Sequence, residues 1–144
     1  MEHIHCIGIG GIGVSALARL YQSRGWLVSG SDLARSEITD ALTKEGIRVF
    51  IGTHNRKHIL LSVTRVVYSV AVRRDNPELR EARRRGVPCL SYAEAVGGLT
   101  REFKTIAVAG AHGKTTTTAL IALILARGGS DPTEGGPGFQ IPPG

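Results

Sequence analysis

Cysteine is scarce: Cys6 and Cys89 are the only two among 144 residues, too few for a disulfide-stapled scaffold and too far apart for a C-x-x-C pair. Each sits in an apolar run, which reads as a buried, reduced thiol on a strand. Long apolar runs are also missing. Arg19 and Lys114 interrupt the two best candidates before either reaches the roughly 18 residues needed to cross a bilayer, so no membrane-spanning segment is expected. Met1-Glu2-His3 carries no basic leader region, and the cytoplasm is the expected location. Acidic residues are outnumbered 12 to 18, giving a net charge of +6; this admits nucleic acid, a membrane surface or small anions as partners and does not choose among them. With 42% hydrophobic and 21% charged residues, neither a disordered chain nor a coiled coil fits. Glycine is abundant, at 19 residues.

Apolar runs alternate with helical patterns, the mark of βαβ units and a mostly parallel sheet. Strands are expected over His3 to Ile9, Trp26 to Gly30, Ile47 to Ile51, Arg65 to Ser69, Val87 to Ser91 and Thr105 to Ala109. One helix follows the cap Ser36, with Ile38, Ala41 and Leu42 on its apolar face and Gly46 at its end. Another takes Asn76 as cap and Pro77 as first residue, and closes at Gly86 after Arg83-Arg84-Arg85. The expected fold is therefore α/β, a Rossmann-like doubly wound parallel sheet over residues 1–99, followed by the start of a second, P-loop unit over 100–128. From Gly128 to Gly144 six glycines and four prolines fall in 17 positions; residues 129–144 read as a tail or as a chain cut inside its second domain.

Two glycine loops carry the chemistry. Gly8-Ile9-Gly10-Gly11-Ile12-Gly13 is a G-x-G-x-x-G between a strand and a helix beginning near Val14-Ser15. Glycine suits a tight turn, close backbone approach to a diphosphate, and packing of helix on strand, and the helix amides then face the phosphates. Asp32, 19 residues past Gly13, stands where a dinucleotide fold places its ribose acceptor; a turn aspartate in Ser29-Gly30-Ser31-Asp32 is the other reading. The second loop, Gly110-Ala111-His112-Gly113-Lys114-Thr115-Thr116, again lies between an apolar run and a helix reaching Arg127. It reads as a variant P-loop: amides for phosphates, Lys114 for the β and γ oxygens, the Thr115 hydroxyl for Mg²⁺. A strict Walker A has glycine five residues before Gly113, where Val108 stands.

Taken together, four blocks resemble the Mur ligase family: His3-Ile4-His5 with the first glycine loop, Ser29 to Asp32, Asp75-Asn76-Pro77-Glu78 with Gly86-Val87-Pro88, and His112 to Thr118. The resemblance covers residues 1 to about 133. It implies an ATP-dependent ligase of peptidoglycan synthesis that joins L-alanine to UDP-N-acetylmuramate through an acyl phosphate, with ATP and Mg²⁺ as cofactors. It implies that Gly10, Gly11, Gly13, Val14, Ser15, Ser31, Asp32, His54 and Ser69 meet the UDP-sugar. It likewise implies that Gly110, Ala111, His112, Gly113, Lys114, Thr115 and Thr116 meet ATP, with Lys114 and Thr115 catalytic. Three departures stand out: Ala111 replaces the usual threonine, Val70 replaces the second of two paired serines, and one extra residue separates Gly52 from His54.

Other features have plainer readings. His54 and His58 are spaced i, i+4, and a solvated surface is expected over a zinc site. His3 and His5 share one face of the first strand, structural or near the substrate. Arg73, Arg74, Arg80, Arg83, Arg84 and Arg85 are interleaved with Asp75, Glu78 and Glu81 and lack aromatic companions, which favours a solvated helix face over nucleic acid. Two rival functions remain open at this point: an NAD(P)-binding oxidoreductase domain, and a noncatalytic nucleotide-sugar binding module.

Overall fold

The computed structural model describes residues 1–102, 106 and 108–129. Five strands form one parallel sheet: β1 (His3–Ile7), β2 (Leu27–Asp32), β3 (Arg48–Ile51), β4 (Arg65–Tyr68) and β5 (Cys89–Ser91), in the order β3-β2-β1-β4-β5. Between them run α1 (Ile12–Ser23), α2 (Glu37–Lys44), α3 (Pro77–Arg84) and α4 (Tyr92–Leu99), with a 3-10 turn at Arg56–His58; α5 (Lys114–Arg127) follows. The doubly wound α/β expectation holds for the sheet. The direction of winding reverses between β1 and β4, and in such sheets ligands bind beyond the carboxyl ends of the strands flanking that switch.

Helix ends follow the local chemistry. Asn76 Oδ1 accepts from the Glu78 and Leu79 amides ahead of Pro77, and Ser36 forms a reciprocal capping box with Thr39. Gly46 and Gly86, at φ +88° and +70°, leave the helices in the left-handed region where a side chain would be strained. Helix α4 was not expected from the sequence: Ser91 caps it through Glu94, although two glycines weaken its last turn.

Period-2 alternation sorts β1 onto two faces. Ile4 and Cys6 join Val14, Leu17, Ala18, Tyr21, Leu42 and Ala95 in the larger core, while Ile7 joins Ile59, Val63, Val66, Leu79 and Ala82 beneath α3. Both thiols are free, and burial pushes Cys6 up to about 12, as expected for an inert core residue. The strand expected over Thr105 to Ala109 lies partly outside the described residues; Ile106, Val108 and Ala109 have no strand conformation. Helix α5 buries Ala122 and leaves Leu120, Leu123 and Ile124 exposed. Residues 130–144, most of the Gly/Pro-rich segment, lie outside the described residues.

Candidate functional site

The β1–α1 loop settles its own first amides and leaves the next ones open. Ser31 O accepts from the Gly8 and Ile9 amides at 2.8 and 3.0 Å, Asp32 Oδ2 accepts from Gly10 at 2.8 Å, and Gly8 O accepts from Gly11 at 3.2 Å. The amides of Ile12, Gly13 and Val14, at the start of α1, have no acceptor among the described residues. Uncapped amides at a helix N-terminus are donors for an anion. They face a cavity of about 330 Å³ lined by Gly11, Ile12, Gly13, Val14, Ser69, Val70 and Tyr92, at the β1–β4 switch.

Glycine is needed here for reasons only partly expected. Gly8 has φ +78° and makes the turn. A Cβ on Gly10 would lie 2.8 Å from Asp32 Oδ2, and one on Gly13 would lie 2.6 Å from the Tyr92 ring. Gly13 thus admits an aromatic side chain from α4, where helix-on-strand packing was expected. Gly30, on β2, is a second tight position: an added Cβ there would meet the Cys6 carbonyl oxygen of β1 and Ile9 Cδ1, both at 2.5 Å.

Asp32 has its carboxylate at the loop, Oδ2 on Gly10 and Oδ1 on the Ala34 amide at 3.2 Å; the turn reading is present in the structure. Ser69 and Val14 line the cavity, and Val70 adds an apolar edge. Two other residues expected at the sugar nucleotide have their hydroxyls bonded within the protein. Ser15 is buried and donates its hydroxyl to Ile12 O at 2.9 Å. Ser31 is fully buried, and its Oγ donates to Glu78 at 2.6 Å; its carbonyl, and not its hydroxyl, serves the loop.

Glu78 is the residue that sequence reasoning missed. Its carboxylate, fully buried, accepts from His5 Nε2 (3.1 Å), Ser31 Oγ (2.6 Å), His54 Nδ1 (3.1 Å), His58 Nδ1 (2.7 Å) and the Asn55 amide (3.2 Å). The expected solvated faces are therefore wrong for His54, His58 and Glu78. His54 and His58 turn inward to the carboxylate, His58 stacked on Phe50 at 4.4 Å. The network continues through Ser29, which joins His5 to His3, and on to Ser62. The signal was in the sequence as alternation: His3 and His5, Ser29 and Ser31 are polar at every second position of otherwise apolar strands.

Burial alone would raise the Glu78 carboxyl, but hydrogen bonds from His5, Ser31 and His58 outweigh it and hold the group at about 2, against an ordinary 4.5. Because the unfolded chain takes up this proton first, the stabilisation is fully present above pH 4.5 and is lost as pH falls toward 2. A shift of this size corresponds to about 3 kcal/mol. His3, held low by burial and then by His5 and Arg48, favours unfolding on acidification for the same reason, below its ordinary 6.5. Urea midpoints measured from pH 7 down to 3 are expected to fall, with the loss between pH 4.5 and 3 smaller in Glu78→Gln, where Glu81, Asp75 and Glu94 still contribute through their own lowered carboxyls; an equal loss in that variant would remove Glu78 as a source.

The second loop has comparable local geometry. Gly113, at φ +77°, precedes α5 without a side-chain cap, and the amides from Ala111 to Thr116 have no acceptor among the described residues. Lys114 Nζ folds back to donate to Gly110 O at 2.6 Å. His112, Thr115 and Thr116 are exposed. These residues fit a phosphate chain: open amides, the Lys114 cation, and a Thr115 hydroxyl with no partner among the described residues for a hard metal ion.

A parallel sheet wound in this order, with open helix amides at its switch point, defines a doubly wound α/β domain with room for an anion at that point. Comparison narrows the class: the Mur ligase family, catalytic domain, matches residues 3–104, and the chain belongs to that family. It is 52% identical over 132 residues to a UDP-N-acetylmuramate–L-alanine ligase of Carboxydothermus hydrogenoformans, covering 92% of this chain and 28% of that one. The corresponding ligase of Syntrophus aciditrophicus is 49% identical over 133 residues, covering 92% and 27%. Among solved structures, the UDP-N-acetylmuramate-alanine ligase of Thermotoga maritima superposes with a TM-score of 0.79 at 40% identity, covering 88% of this chain and 29% of that one. A murein peptide ligase of Psychrobacter arcticus gives 0.81 at 30% identity, covering 90% and 27%. The chain thus spans little more than a quarter of the length of these relatives. No helix among the described residues is long and apolar enough to cross a membrane.

Proposed function

We propose that this chain supplies the UDP-sugar-binding domain of an ATP-dependent ligase joining L-alanine to UDP-N-acetylmuramate. The observation that carries this reading is the group of open amides at Ile12, Gly13 and Val14 over the cavity at the β1–β4 switch, in a chain about half identical to ligases so named. In this reading the amides hold the sugar nucleotide's diphosphate, with Ser69 beside it, and Asp32 keeps the loop in shape. The side chains of Ser15, Ser31 and His54 support the loop from beneath and are left out of the ligand shell. Gly110, Ala111, His112, Gly113 and Thr116 contribute the second loop's phosphate cradle, and Lys114 balances the charge of ATP. The Thr115 hydroxyl would hold Mg²⁺, which when bound neutralises phosphate charge during phosphoryl transfer to the sugar's carboxylate.

Calorimetric titration tests the reading directly. UDP and UDP-N-acetylmuramate are expected to bind, NADH is not, and Lys114→Ala is expected to weaken binding of Mg²⁺-ATP without touching UDP affinity. NADH binding without UDP binding would favour the oxidoreductase alternative, in which Asp32 takes the ribose.

A further inference from the structure

Val70 leaves the cavity with two side-chain hydroxyls, on Ser69 and Tyr92. Ser69 Oγ already accepts from the Ala71 amide at 3.4 Å. Tyr92, the first residue of α4, packs its ring against the larger core and brings Cζ and Oη to 2.6 and 2.7 Å from where a Cβ on Gly13 would stand. Its hydroxyl therefore stands beside Gly13, the residue that carries one of the three open amides. Tyr92 Oη, on a half-buried ring, has no hydrogen-bond partner among the described residues and faces the cavity.

We propose that Tyr92 is a ligand-binding residue whose hydroxyl donates a hydrogen bond to a phosphate oxygen held on the amides of Ile12, Gly13 and Val14. Burial pushes the phenol above its ordinary value, so it stays protonated and a donor at neutral pH. Gly13 supports the same assignment. Any side chain at that position would drive the ring off the helix N-terminus, so the missing Cβ and the hydroxyl form one device: the glycine makes the space and the tyrosine fills it with a donor. The inference rests on the diphosphate reading of the first loop, and extends it to a residue on α4 that lies outside both glycine motifs.

The test is Tyr92→Phe, which keeps the ring on Gly13 and removes only the hydroxyl. UDP affinity is expected to fall roughly 10- to 100-fold, the range for a hydrogen bond to a charged group, while the affinity for uridine, which has no phosphate, stays at the wild-type value. An unchanged UDP affinity in a folded Tyr92→Phe variant would overturn the proposal. So would equal weakening of UDP and uridine, which would place the hydroxyl on the nucleoside. Failure of the wild-type chain to bind UDP at all would instead overturn the reading of the loop. Urea unfolding of the variant at wild-type midpoint is the accompanying control, and Tyr92→Leu, which also removes the ring, is expected to lose at least as much UDP affinity.

Discussion

Glu78→Ala is expected to lower the stability of the domain by about 3–5 kcal/mol, the range for removing one partner of a buried charged network. Three imidazole N–H groups, the Ser31 hydroxyl and the Asn55 amide now end on this carboxylate. Alanine leaves those donors in a low-dielectric space too small to rehydrate them all. Against a typical total of about 5–15 kcal/mol, such a loss brings much of the population near the unfolding transition. Urea denaturation followed by circular dichroism measures it, and a loss under about 1 kcal/mol would show that water replaces the carboxylate. Glu78→Gln is expected to cost less, because it keeps one acceptor oxygen; its amide nitrogen nevertheless faces donors. The effect reaches the site, since the Ser31 carbonyl that fastens Gly8 and Ile9 belongs to the residue whose hydroxyl Glu78 holds.

The second large effect is expected at Gly10. A valine there would place its Cβ 2.8 Å from Asp32 Oδ2, closer than such atoms sit, and 3.2 Å from Thr39 Cγ2, a tight contact. The carboxylate must swing away and release the Gly10 amide, and the loop that presents Ile12, Gly13 and Val14 moves with it. Displacing binding groups by about 1 Å commonly costs on the order of 100-fold, so Gly10→Val is expected to reduce UDP affinity by at least that factor. The fold should persist, because Gly10 lies beyond the β1 ladder and adds no side chain to either core. A folded Gly10→Val protein that binds UDP as tightly as wild type would take this loop out of the site. Asp32→Ala probes the same fastening more gently, since it removes the acceptor without adding bulk.

Much of this architecture was legible because its signals are local. The alternation of apolar runs and helical patterns, the caps at Ser36 and Asn76-Pro77, and the exits at Gly46 and Gly86 each depend on a few contiguous residues, and the structure reproduces them. The boundaries were less so: β1 was expected to reach Ile9 but ends at Ile7, because the amides of Gly8 and Ile9 leave the ladder together for the Ser31 carbonyl. Helix α4 was missed because Gly97 and Gly98 dilute a short pattern that tertiary packing through Ala95 and Leu99 completes.

By itself, then, the sequence determined a doubly wound parallel sheet, two glycine loops each opening a helix, and membership of the Mur ligase family. These are properties of contiguous motifs and their order. What only the tertiary structure decided is which side chains meet. The strand order β3-β2-β1-β4-β5 sets β1 between strands that come from distant parts of the chain, and the register pairs His5 with Ser29 and Ile7 with Ser31. That register stacks His3, His5, Ser29 and Ser31 on the buried face where α3 delivers Glu78. The same topology lays Tyr92 across Gly13 and Asp32 against Gly10. Such pairings depend on register and on which face of the sheet each helix covers, and a one-residue slip would reverse the faces of an entire strand.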